Sequence, residues 1–212
     1  MIELSTKTKP LRAWREAVRL ISKNHHTLAT EKGEQFYEAK TPISITICDP
    51  EILPTSELVP HAIQTYFSTK FIDDYAVKFS SGIAEEGDWS YSYGERISRD
   101  DQLNKVISLL NAHNDTRRAT ISLLQSNDID LEDKPCLSLI NFRIREKDLI
   151  MEAIFRSHDF ILGYPINYVG LLFLGTRVAC ETDTRLSEIT TVSLSAHYYT
   201  REQSIVDLIT FM

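Results

Sequence analysis

Four consecutive polar residues, Arg156, Ser157, His158 and Asp159, interrupt the apolar stretch "FRSHDFILGYPIN" from Phe155 to Asn167. A guanidinium fork and a hydroxyl can grip a phosphate. Asp159 can accept from a base or a backbone amide. Asn167 offers one donor and one acceptor, which suits the N3–H and O4 edge of a uracil. It also precedes an apolar helical run, where an asparagine can serve as a cap. His158 reads as structural or exposed.

Two further groups could join this cluster. In "DKPCLS", Cys136 follows a proline at the start of a predicted strand. A free cysteine ionises near pH 8.5, lower beside a cation. If 136–144 and 149–157 form a hairpin, Cys136 and Arg156 lie at the same end, thiol beside guanidinium. The alternative is a small buried hydrophobe. "DTRRAT" adds Arg117 and Arg118, as phosphate ligands or as solvated surface charges. On a strand these neighbours would point to opposite faces. In "SAHYY", His197 and Tyr199 share a strand face and could hold a sugar hydroxyl or form a cross-strand polar pair. The six histidines and three cysteines make no metal pattern, so no metal is expected.

The elements that must position these residues follow from the hydrophobic pattern. Leu11, Trp14, Val18 and Ile21 predict a helix over 11–22. "ISITICDP" predicts a strand over 43–50, and 57–80 a helix limited by Pro60. "EEGDWSYSYGER" reads as a turn entering an aromatic segment. Leu103, Val106, Ile107 and Leu110 mark a helix capped by Asp100 or Asp101. Strands are predicted over 116–124 and 188–199, two more within 136–157, and a buried helix over 164–180. This mixture indicates an α+β fold. With 212 residues and 42% hydrophobic composition, one domain over 1–212 is expected. A net charge of −7 argues against nucleic-acid or anionic-membrane binding. No apolar leader or span and an odd cysteine count predict a cytoplasmic, reduced protein.

In order, "YSYGER", "TRR", "PC", "RSHD", "LGYPIN" and "HYY" resemble the motifs of the thymidylate synthase family, over about half the chain. The resemblance implies a mostly antiparallel sheet with flanking helices, one sheet face forming a homodimer interface. It implies transfer of a one-carbon unit from 5,10-methylenetetrahydrofolate to C5 of a pyrimidine nucleoside monophosphate, dUMP to dTMP. Cys136 would be the nucleophile at C6. Arg156 and Ser157 would hold phosphate beside the thiolate, and Arg117 and Arg118 would be lent across the dimer. Asp159 would order nucleotide and folate, Asn167 would read the base, and His197 and Tyr199 would bind the 3′-hydroxyl. Tyr93 would help remove the C5 proton through water.

The sequence departs from the family in places. Leu137 replaces the usual histidine after the nucleophile. Glu57 in "SELVPHA" is the candidate base, with Glu85 and Glu86 as rivals, and Trp89 is out of context for a folate-side tryptophan. The N-terminal phosphate loop is not recognisable, and only residues 200–212 follow Tyr199. The chain therefore resembles the short, archaeal-like or otherwise divergent members. A 5-hydroxymethylase acting on UMP, dUMP, CMP or dCMP, and a noncatalytic nucleotide-binding homologue, are the alternatives. Asn167 weighs against cytosine, because related cytosine hydroxymethylases are expected to carry aspartate there.

Overall fold

The computed structural model describes residues 1–7, 9–82 and 91–211. Strand β1 (Ile2–Lys7) leads into helix α1 (Pro10–Lys23), which buries Trp14, Val18 and Ile21 on one face. Pro10 suits the first turn, where its missing N–H would have no helical partner. Strands β2 (His25–Ala29), β3 (Gln35–Ala39) and β4 (Ile43–Cys48) follow. The expected helix over 57–80 is three pieces, α2 (Thr55–Leu58), α3 (His61–Gln64) and α4 (Thr69–Ser81). Pro60 sits extended at ψ 144° and separates the first two. Ser68 starts the third, its hydroxyl accepting the Phe71 N–H at 3.2 Å.

Helices α5 (Tyr93–Ser98) and α6 (Gln102–Ala112) come next. Asp101 occupies the cap position of α6, but its carboxylate bonds the Asn104 side chain at 2.7 Å instead of a backbone amide. Glu85, Glu86 and Trp89, and most of the expected turn before Tyr91, lie outside the described residues.

The expected strand over 116–124 is corrected to β5 (Thr120–Ser122). The buried Thr116 hydroxyl accepts the Arg118 N–H at 3.2 Å. That local bond turns the chain, so Arg117 and Arg118 lie on a loop. Strands β6 (Leu137–Arg145) and β7 (Asp148–Phe155) form the expected hairpin. The short β8 (His158–Asp159) leads to α7 (Tyr164–Glu181). The expected strand over 188–199 is two, β9 (Arg185–Ser193) and β10 (Ala196–Tyr199), and α8 (Gln203–Phe211) closes the chain.

The strands build a six-stranded sheet, β1-β4-β9-β7-β6-β5, and a four-stranded sheet, β2-β3-β10-β8. Both mix parallel and antiparallel pairs, the antiparallel ones outnumbering, as the α+β expectation requires. Leu149, Met151, Ala153 and Phe155 alternate inward on β7, matched by Ile189 on β9 and Ile43, Ile45 and Ile47 on β4. Helix α7 packs on this face and α4 packs on α7. This explains why α7 is apolar nearly all round. At Gly170 the contact with α4 is so close that an added Cβ would meet the Phe79 ring at 2.9 Å.

The feature that positions the candidate site is where strands change sheets. Parallel neighbours β7 and β9 leave the large sheet at the same level and continue, still paired, as β8 and β10 of the small one. Leu194 N–H donates to Phe155 O and His158 N–H to Ser195 O, each at 2.9 Å, which secures the crossing. The expected strand over 188–199 breaks at Leu194 and Ser195 for this reason. "RSHD" and "SAHYY" therefore meet at one junction.

Candidate active site

Cys136 reaches this junction from the start of β6. Its carbonyl accepts the Arg156 N–H at 2.9 Å, and Leu137 pairs with Phe155. The Arg156 Nη2 lies 3.7 Å from the Cys136 Sγ. The same guanidinium donates to Pro135 O at 3.0 Å through Nε and to Lys134 O at 2.7 Å through Nη2. It thus fixes the segment that carries the thiol as well as standing beside it. Tyr93, in the first turn of α5, accepts the Leu137 N–H on its hydroxyl at 3.2 Å. Burial, then its neighbours Tyr91 and Cys136, hold the Tyr93 phenol well above its ordinary range.

Burial pushes the Cys136 thiol up, the Arg156 cation pulls it down, and Asp133 and Asp159 add to the upward push. The net direction is upward, so a neighbouring cation does not by itself make this cysteine a thiolate at neutral pH.

Across the junction, Asp159 on β8 is the register partner of His197 on β10. The Asp159 Oδ1 accepts from Ile161 N–H at 2.8 Å and Leu162 N–H at 3.1 Å. Burial still raises its pKa, against those bonds and the nearby His197. Gly163 follows because an added Cβ would stand 2.8 Å from the Asp159 carbonyl oxygen. His197 is buried and its Nδ1 donates to Ser195 O at 3.1 Å, which leaves Nε2 for other partners. The Tyr199 ring meets it edge-on at 5.5 Å. Burial raises the Tyr199 phenol, with Asp159, Cys136 and Glu202 adding negative charge around it.

Asn167 lies inside α7, with Gly163 at the cap position, so the capping alternative is corrected. Its Oδ1 accepts from Tyr75 OH at 2.7 Å, and its Nδ2 is 3.2 Å from His158 Nε2. His158 is buried, not exposed. It stacks on Phe155 with centroids 3.7 Å apart and planes 11° apart, and its Nδ1 is 2.9 Å from Ser193 Oγ. Ser157, between Arg156 and His158, is partly buried.

Three expected residues stand apart from this cluster. Arg117 and Arg118 are exposed and line an open cleft of about 390 Å³ with His113, Asn114, Asp115 and Thr116. None of the residues around Cys136 lines that cleft. Glu57 is exposed on α2 and faces a second cleft with Lys9, Arg12 and Arg15. Among the described residues no hydrogen bond joins it to the Cys136 cluster.

A family model described as Thymidylate synthase matches residues 64–209. The chain belongs to the thymidylate synthase family. A protein of Methanosarcina barkeri named "Putative thymidylate synthase" is 31% identical over 92% of this chain and 88% of its own length. One of Methanococcoides burtonii with the same name is 31% identical over 93% and 89%. The "Thymidylate synthase" of Listeria monocytogenes is 28% identical over 69% of this chain and 48% of its own length. The thymidylate synthase family comprises one-carbon transferases that act on a nucleotide and use methylenetetrahydrofolate. Among the described residues there is no group of His, Cys, Asp or Glu arranged to hold a metal, and no helix is long and apolar enough to cross a membrane.

Sequence reasoning passed over Tyr75, Ser193 and Glu202. Glu202 is buried, accepts the Tyr199 N–H at 3.0 Å, and is pushed up to about 7 by burial and then by Asp159. Its position three residues after Tyr199 was the only available signal. Tyr75 reaches Asn167 from α4 across 92 residues of sequence, which no local pattern encodes.

Proposed function

We propose that this thymidylate synthase family member methylates C5 of a uridylate, dUMP to dTMP, through a covalent bond between Cys136 Sγ and C6. The observation that supports it most is the Cys136–Arg156 pair, 3.7 Å apart, at the junction that also gathers Asp159, Asn167 and His197. C5 of a uracil is a poor nucleophile. Attack of the thiolate at C6 moves the C5–C6 electron pair towards C5 and O4, which makes C5 a nucleophile. Loss of the C5 proton and then of the thiolate restores the ring and the free cysteine.

Arg156 acts at two points. It favours the thiolate over the thiol, and a guanidinium has donors left for the nucleotide phosphate beside Ser157. Asn167 holds N3–H and O4, where the enolate charge develops. His197 Nε2 and the Tyr199 hydroxyl hold the ribose 3′-hydroxyl. The Tyr93 phenol stays protonated and orients water at the C5 proton. Glu57 would have to swing in to act as base.

The residues fit a folate at one place. Asp159 offers a fixed carboxylate to pterin N–H donors, beside Leu162 and the bare backbone of Gly163. When bound, methylenetetrahydrofolate supplies the one-carbon unit and, for methylation, a hydride.

Arg117 and Arg118 need a second copy of the chain. Neither guanidinium has a partner among the described residues, and their cleft excludes the Cys136 cluster. The outer face of the large sheet suits that contact. Its half-exposed Ile150, Ile154 and Val192 alternate with hydrogen-bonded pairs such as Thr46–Thr190 and Asn141–Glu152. A homodimer through this face would lend both arginines to the partner's phosphate site.

One observation favours 5-hydroxymethylation as a second reading. Trp14 is 1% exposed and donates to Phe160 O, which leaves for a folate only Trp89, out of the family's context and outside the described residues. Mass analysis after incubation with methylenetetrahydrofolate and dUMP, UMP, dCMP or CMP separates the two. A methylated uridylate with dihydrofolate is expected. A hydroxymethyl product with tetrahydrofolate establishes the second reading, and nucleotide binding without any product overturns both.

A further inference from the structure

An asparagine amide is degenerate as a reader of pyrimidines. One orientation gives an acceptor to N3–H and a donor to O4, as uracil needs. The flipped amide gives a donor to N3 and an acceptor to the 4-amino group, as cytosine needs. Asparagine at position 167 therefore weighs against cytosine only while its amide is held in one orientation.

The structure contains such a hold. Ser193 Oγ, His158, Asn167 and Tyr75 form one unbroken chain of contacts at 2.9, 3.2 and 2.7 Å. It joins the end of β9, β8, the first turns of α7 and the middle of α4. Ser193 is 0% exposed and His158 2%, so water does not compete for either. The His158 ring is clamped against Phe155 and flanked by Phe160 and Tyr164, with centroids 5.5 and 5.2 Å away. Burial keeps its imidazole neutral. A neutral imidazole has one N–H and one lone pair. The Asn167 oxygen accepts from Tyr75 OH and its amide nitrogen faces His158 Nε2, so Nε2 presents its lone pair and the Nδ1 proton points to Ser193 Oγ. One N–H and one oxygen lone pair remain for a base, in the arrangement that suits uracil.

We propose that His158, whose Nε2 faces the Asn167 amide nitrogen, is a specificity-determining positioning residue that holds the Asn167 amide for a 4-oxo pyrimidine over a 4-amino one. This deepens the proposed function and rests on Asn167 meeting the base.

The test is the ratio of dissociation constants for dCMP and dUMP, measured by calorimetry on the full chain. The wild type should favour dUMP. His158→Phe keeps a ring against Phe155 but frees the amide, so the ratio should fall about 5- to 10-fold, the scale of one hydrogen bond. His158→Gln, whose own amide can face Asn167 either way round, should regain a hydrogen bond without restoring the ratio. Ser193→Ala, a smaller change that keeps the imidazole, should lower the ratio several-fold and carries the test if His158→Phe does not fold. A purely structural role for His158 would weaken both nucleotides equally. An unchanged ratio in folded His158→Phe or in Ser193→Ala overturns the proposal. Wild-type protein that binds neither nucleotide would instead overturn the functional reading itself.

Discussion

The wall proposed to meet the base and the arginines proposed for the phosphate are built on opposite principles. Around Asn167, both ends of the amide and both imidazole nitrogens of His158 have partners inside the chain. The guanidinium groups of Arg117 and Arg118 have none among the described residues, and both residues stand exposed on a loop. The first region is preorganised within one copy, where orientation matters and burial makes an unpaired group costly. The second is left unfinished within one copy, as expected if charge is supplied by a partner. Arg156 stands between them. It is fixed by two carbonyls and still sits beside the thiol.

Removing Cys136 should produce the largest effect and bear on both regions at once. Cys136→Ser should lower turnover by roughly 10^4-fold or more, the scale on which loss of a catalytic nucleophile acts. Nucleotide affinity, measured by calorimetry, should change little. An active variant would remove covalent catalysis from the account.

The contrast itself is broken or sharpened by the paired variant Arg117→Ala with Arg118→Ala. It should weaken dUMP binding about 10- to 100-fold, as loss of charge-assisted bonds does. Mixing it with Cys136→Ser should then recover activity, because a mixed dimer contains one site with both an intact cysteine and intact arginines. Failure of the mixture to recover, or a monomer at micromolar concentration in sedimentation, would mean that the arginines do not act across an interface.

A stability effect should follow from the preorganised side. At Gly170 an added methyl meets Phe79 at 2.9 Å and Tyr75 at 3.2 Å. Gly170→Ala should cost about 1–3 kcal/mol by denaturant titration, the range for overpacking. Because Tyr75 is displaced, it should also weaken uridylate binding.

The smallest effects are in pH. Glu202 has a folded pKa near 7, above the ordinary carboxylate value of about 4.3. Between those values the folded state holds more protons than the unfolded one, so stability declines as pH rises from about 4 to 7. Glu202→Gln should flatten that decline, raising Tm at pH 8 and leaving it nearly unchanged at pH 4. Cys136 titrates upward in the same sense. Its alkylation rate by iodoacetamide should keep climbing above pH 8.5, and Arg156→Ala should slow it further at a given pH.

Much of the candidate site's geometry was legible because its motifs are local. The hairpin that places Cys136 beside Arg156 follows from alternation over 136–157, and its register agrees. What escaped the sequence depends on long-range geometry. The shared exit of β7 and β9 from the large sheet breaks a strand that reads as continuous from 188 to 199. The loop at Arg117 depends on one Thr116 hydroxyl. His158 looked dispensable because its two partners, Ser193 and Asn167, come from other elements.

Intact-mass spectrometry of the wild-type chain with methylenetetrahydrofolate and 5-fluoro-dUMP tests the central claim most directly. Fluorine at C5 cannot depart as a proton does, so the reaction should stop with nucleotide and one-carbon donor both attached. The account predicts one such adduct per chain, mapped to the peptide containing Cys136 and absent from Cys136→Ser. No mass increase, or an adduct at Cys48 or Cys180, would contradict it.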